Sequence, residues 1–115
     1  MLDKKLQLKG GQSIAVVGGP TQLELAAERA APDDADAVLV FATDRAQLLQ
    51  HLGDLKQAAE GDKLTWVAYP KEKRLDTDLN RDIVRSIANE NGLDPVRQVA
   101  VDETWSALRL KPYSE

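Results

Sequence analysis

The sequence predicts one α/β domain, a three-layer, doubly wound fold with a mostly parallel sheet and an antiparallel C-terminal strand. Three observations predict it. Short runs rich in β-branched or aromatic residues alternate with longer helical patterns. The run ADAVLVFAT (35–43) is apolar on both faces, as suits a strand covered by helices on each side. The last two strand-like runs lie too close in sequence for a helical crossover, so they read as a hairpin. At 115 residues the chain is one domain of ordinary size. Its ends, 1–12 and 112–115, read as loose.

The first strand is SIAVVGG (13–19), a short apolar run closed by glycines. TQLELAAERAA (21–31) follows, an Ala-rich helix that Pro32 terminates. ADAVLVFAT is the second strand. DRAQLLQHLGDLKQAAEG (44–61) begins on Asp44, a good N-cap, and repeats Leu48, Leu52, Leu55 and Ala59 at helical spacing. Gly53 within it costs about 1 kcal/mol relative to Ala. KLTWVAYP (63–70) is the third strand. TDLNRDIVRSIANENG (77–92) carries Leu79, Ile83, Val84 and Ile87 on one stripe and ends on Asn-Gly in the left-handed manner. PVRQVAVDE (95–103) is the fourth strand. In TWSALRLKP (104–112), Ser106, Leu108 and Leu110 face one way and Trp105, Ala107 and Arg109 the other, which reads as a half-buried fifth strand at a sheet edge. Strand order 2-1-3-4-5, the flavodoxin-like version of a Rossmann-like winding, is the expectation; order 3-2-1-4-5 is the alternative.

Composition narrows the functional classes. Apolar residues make up 43% and charged residues 30%, which describes a soluble globular chain. Cysteine is absent, so disulfides, thiol nucleophiles and thiolate metal sites are excluded, and a reducing cytoplasm is the expected compartment. No apolar run is long enough to span a bilayer, and MLDKKLQLKGG has no apolar core of a secretory signal. The net charge of −4 argues against a nucleic-acid partner, which would need an excess of Lys and Arg.

DTDLNRD (76–82) places Asp76, Asp78, Asn80 and Asp82 on alternate positions, as the first ligands of a calcium loop would be. Such a loop needs Gly at its sixth position and Glu at its twelfth, and those positions hold Arg81 and Ile87. The segment reads instead as a helix start. Thr77 or Asp76 is the cap, Asp78 lies in the first turn, and Asp78–Arg81 and Asp82–Arg85 form i,i+3 pairs. Asn80 shares the apolar stripe, so its amide either caps backbone or reads a ligand.

In open α/β sheets ligands bind beyond the carboxyl ends of strands, where the winding reverses. With order 2-1-3-4-5, Gly18-Gly19-Pro20 would face Tyr69-Pro70-Lys71, with Thr77, Asp78, Asn80 and Arg81 beside them. Lys71, Lys73 and Arg74 and the helix start would favour an anion. GGPTQL matches neither the dinucleotide nor the Walker pattern, so a plain tight turn competes with a phosphate loop there. Trp66 and Tyr69 fall on opposite faces of their strand and read chiefly as core. Ser106 has no base nearby, since His51, the only histidine, lies on a helix flank. Asp76, Asp78 and Asp102 could hold magnesium, but nothing specifies it, and no metal or cofactor is expected.

WVAYPK (66–71), TDLNRD (77–82) and DETWSALR (102–109), taken in order, resemble a family of small bacterial proteins known as a domain of unknown function. The similarity spans residues 12 to 112. It implies a free-standing bacterial domain and no particular activity. The motif residues it marks for testing are Tyr69, Lys71, Asp78, Asn80, Arg81, Trp105 and Ser106.

The leading expectation is a non-enzymatic binding or regulatory domain, with Gly18, Gly19, Tyr69, Lys71, Asn80 and Arg81 as ligand-binding candidates. An enzyme, or degenerate enzyme, acting on a small anion bearing phosphate or nucleotide is the second reading. The third is a homodimer or partner-binding module that uses the last hairpin, with Trp105 and Ser106 at the contact.

Overall fold

The computed structural model describes residues 2–19, 25–71 and 77–113. In chain order the elements are α1 (Leu2–Lys5), β1 (Ser13–Val17), β2 (Glu28–Arg29), β3 (Ala37–Phe41), α2 (Arg45–Glu60), β4 (Leu64–Pro70), α3 (Arg81–Glu90), β5 (Leu93–Ala100) and β6 (Trp105–Pro112). The strands form one mixed sheet in the order β2-β1-β3-β4-β6-β5. β2, β1, β3 and β4 pair in parallel, and β6 runs antiparallel to both β4 and β5.

The α/β class and the antiparallel last strand agree with expectation, but the strand order does not. β1 does not lie beside β4; β3 intervenes. The winding reverses at β1, where the chain steps out to β2 and returns past β1 to β3. β3-α2-β4 and β4-α3-β5 both step in the same direction across the sheet, and crossovers of one hand then put both helices on one face. The core reflects this. Leu48, Leu52 and Leu55 of α2 and Val84 and Ala88 of α3 pack in one cluster with Val38, Val40, Val67, Leu108 and Leu110. The alternate residues Leu39, Phe41, Trp66, Ala68, Trp105 and Ala107 point to the other face.

That second face carries neither long helix. It is closed by α1, whose end brings in the fully buried Leu6, and by Leu25 and Ala27. The helix expected over 21–31 is therefore absent from its described part: residues 25–27 are irregular and β2 follows, while 20–24 lie outside the described residues. Tertiary bonds override the Ala-rich propensity. The carboxylate of Asp3 accepts the N–H groups of Ala26 and Ala27, at 2.9 and 2.8 Å. The N-terminal segment buries Leu2 and Leu6. Leu6 also accepts the indole N–H of Trp66 at 3.1 Å, which satisfies the polar atom of a fully buried ring.

β6 is not a sheet edge either. Its apolar residues on both sides are buried between β4 and β5, so it takes the interior place and leaves the more polar β5 at the rim. Burial capacity decides the order: Trp105, Ala107, Leu108 and Leu110 gain more from two covered faces than Asp94, Arg97 and Gln98 would. Pro95 and a bulge between Pro95 and Arg97 interrupt the exposed edge, which blunts it against further strand pairing. Trp105 is 8% exposed and meets Phe41 edge-on, with centroids 4.9 Å apart, so it is a core residue and offers no anchor to a partner.

Candidate ligand-binding cleft

The site begins where β4 ends. Lys71 donates its backbone N–H to Thr104 at 2.7 Å, which fixes the start of β6 against the end of β4. The register then sets Tyr69 opposite Ser106, and Ser106 opposite Ala100 of β5. Tyr69, Ser106 and Gln98 all face α3, because each lies in phase with the residues of the helix-side core. The side-chain amide of Gln98 donates to the Tyr69 hydroxyl at 3.4 Å.

α3 enters from above. Asn80 adopts extended backbone and its Oδ1 accepts the N–H of Ile83 at 2.9 Å, so Asn80 is the N-cap. The helix thus starts at Arg81 and not at Thr77. Thr77 and Asp78 serve the neighbouring helix start. The Thr77 hydroxyl donates to the Thr43 carbonyl, and Asp78 accepts the N–H of Arg45 at 2.9 Å. The expected Asp78–Arg81 and Asp82–Arg85 pairs are replaced by Asp78–Arg45 and Asp82–Arg81, at 3.8 and 3.7 Å. Both pairs are exposed, so each contributes little.

Tyr69, Lys71, Asn80, Arg81, Asp82, Gln98 and Ser106 line a cleft of about 420 Å³. Its floor is buried, with Tyr69 3% and Ser106 7% exposed; its rim is exposed. Burial pushes the Tyr69 phenol above the ordinary value of 10.0. The Ser106 hydroxyl and Arg81 pull it back in part, and Asp82 opposes them. The phenol is therefore neutral and hydrogen-bonding at physiological pH. Lys71 and Arg81 outnumber Asp82, and the first turn of α3 adds the partial positive charge of its unpaired N–H groups. The cleft thus holds two basic side chains and one acidic one, the acidic one paired with Arg81, in a chain of net charge −4.

Of the residues selected from sequence, Tyr69, Lys71, Asn80, Arg81 and Ser106 come together. Gly18 and Gly19 do not, because β3 separates their turn from the end of β4. Both have left-handed backbone, with φ of 70° and 79°, and Gly19 lies against the Phe41 ring. Glycine adopts that backbone without strain. Trp105 points to the opposite face. Pro20, Glu72, Lys73, Arg74 and Asp76 lie outside the described residues.

Sequence reasoning missed Asp82 and Gln98. Gln98 is legible only once β5 is paired with β6, because strand alternation then puts it on the same side as Leu108. Ser106 has no histidine beside it: His51 is on α2, 3.8 Å from Asp54. Among the described residues no cluster of three or more His, Cys, Asp or Glu could hold a metal ion, and no helix is long and apolar enough to cross a membrane. No protein-family model matches the chain, and no curated protein matches it.

Proposed function

We propose that this chain is a binding domain for a small anionic ligand, held in the cleft between the start of α3 and the ends of β4 and β6. One observation carries the reading: the buried Tyr69–Ser106 floor, which supplies hydroxyls, lies beneath a rim that holds Lys71 and Arg81. Lys71 acts as a point charge, Arg81 as a fork of donors, and the hydroxyls fix orientation. The binding is non-enzymatic. Ser106 faces Tyr69 across the β4–β6 pair, no histidine stands beside it among the described residues, and a buried neutral phenol is a weak nucleophile. The cysteine-free composition supports a reducing cytoplasm as the place of action.

Titration of the labelled protein with inorganic phosphate, followed by backbone amide NMR, tests this. The expected result is saturable shifts at Lys71, Arg81 and Ser106 that Lys71→Ala abolishes. No shift at those amides would sink the reading. Phosphoester turnover by the purified protein, lost in a Lys71→Ala/Asn80→Ala double variant, would replace it with the enzymatic one.

A further inference from the structure

The cleft continues past Gln98. Arg81 and Gln98 also line a second hollow of about 140 Å³ between α3 and β5, together with Arg85, Pro95, Val96, Arg97 and Leu108. Two residues common to both hollows make them neighbouring parts of one groove.

The two parts differ in chemistry. The first has a polar floor of hydroxyls. The second has an apolar one, from Pro95, Val96 and the buried Leu108. Val96 is 49% exposed, an apolar surface held open beside charged groups. The bulge between Pro95 and Arg97 explains how it gets there. Val96 has no partner on β6, since the register passes from Pro95 opposite Leu110 to Arg97 opposite Arg109, and both Val96 and Arg97 border the hollow. Arg81 and Arg85 stand one helical turn apart, so their side chains share the α3 wall. The ion pairs among the described residues occupy neither Arg85 nor Arg97.

Guanidinium groups over an apolar floor have a specific use. They are weakly hydrated planes that stack on flat rings, which a lysine ammonium does not do. A second anion would suit the charge of Arg85 and Arg97 but would waste the Pro95–Val96–Leu108 surface and leave it wet. A flat ring uses both.

We infer that the ligand is a ring-bearing phosphate of the nucleoside monophosphate class. Its phosphate lies at Lys71 and Arg81, and its ring lies on Pro95, Val96 and Leu108 against the guanidinium group of Arg85 on the α3 wall. Gln98, at the junction, presents an amide donor and acceptor to the sugar or the ring edge. This inference rests on the anion-binding reading above and names its ligand.

The test compares inorganic phosphate, ribose 5-phosphate and adenosine monophosphate on the full chain by amide NMR titration. Adenosine monophosphate is expected to bind at least about tenfold more tightly than either, since one stacked ring contributes about 1–3 kcal/mol. It alone is expected to shift Val96, Arg97 and Gln98. An Arg85→Ala/Arg97→Ala variant, altered only at exposed positions, is expected to lose that advantage and keep phosphate binding. Equal affinity for the three compounds, or an equal loss for all three in the variant, overturns the ring assignment and leaves the anion site standing. Failure of all three to bind overturns both.

Discussion

Asp78 caps a helix to which it does not belong: its Oδ1 accepts the backbone N–H of Arg45, the first residue of α2, at 2.9 Å. Two residues later Asn80 caps α3. Between them Leu79 is buried, and its N–H donates to the Thr77 hydroxyl at 3.0 Å. One short loop therefore fixes both helix starts at the same end of the sheet. Loss of a capping oxygen costs about 1 kcal/mol. Asp78→Ala is expected to lower the unfolding free energy by that amount, seen as a lower urea midpoint with an unchanged m-value. Asp78→Asn keeps an oxygen but no charge, so it should recover most of the loss. An equal loss in both variants would mean that the exposed ion pair with Arg45, and not the cap, is what Asp78 supplies.

Glycines at two places should respond with opposite signs. A Cβ on Gly53 would meet no atom within 4 Å, and the residue lies inside α2. Gly53→Ala should stabilise the protein by about 1 kcal/mol. A Cβ on Gly19 would lie 2.8 Å from the Phe41 Cβ and nearer still to its ring, and the backbone there has φ of 79°. Gly19→Ala should destabilise by about 1–3 kcal/mol, from overpacking and left-handed strain together. Chemical denaturation of both variants checks the pair. In the folded Gly19→Ala protein, phosphate affinity should be unchanged, because that turn is remote from the cleft.

The Asp3 clamp should be visible in pH. Partial burial pushes this carboxyl up, but the amides of Ala26 and Ala27 outweigh that and hold it below the ordinary 3.8. A depressed carboxyl contributes stability above its unfolded value, and the contribution is lost as pH falls through the lower folded value. The amide shifts of Ala26 and Ala27 should therefore move together at a pH below 3.8 and be insensitive to pH across the neutral range. In Asp3→Asn this titration should vanish. A midpoint at or above the ordinary value would mean that the clamp is not closed in solution.

The sequence makes α2, the hairpin and the inner faces of the strands legible because each rests on local pattern. Asp44 and the Leu48–Leu52–Leu55 stripe define a helix without reference to anything else, and the alternation of WSALRL already assigns Trp105 and Leu108 to opposite sides. Strand order is not local. It depends on how well each strand tolerates two covered faces, a comparison between β5 and β6 that neither segment contains alone. Over its described residues, 25–31, the expected helix is absent for a related reason, since the Ala26 and Ala27 amides are claimed by Asp3, more than twenty residues upstream. The grouping of Tyr69, Lys71, Asn80 and Arg81 does not depend on strand order, because these residues come from one stretch, the end of β4 and the start of α3. Only the second wall of the cleft changed, from the β1 turn to β6 and β5, which brought Ser106 into the site and removed Gly18 and Gly19.

Tyr69 gives a direct report on the floor of that cleft. Burial raises its phenol above 10.0, so ionisation works against the fold. The neutral phenol contributes stability below the unfolded value, and that contribution is lost as pH rises through the higher folded one. Absorbance of tyrosinate in the wild type, minus that of Tyr69→Phe, should show a midpoint above 10.0. Tyr69→Phe should itself cost about 1 kcal/mol, because Gln98 and Ser106 each lose a partner. Inorganic phosphate at saturation places negative charge beside the phenol, which disfavours the phenolate and should move the midpoint further up. A midpoint that phosphate leaves untouched, in a protein whose Lys71 amide does respond to phosphate, would locate the anion away from Tyr69 and separate the rim of the cleft from its floor.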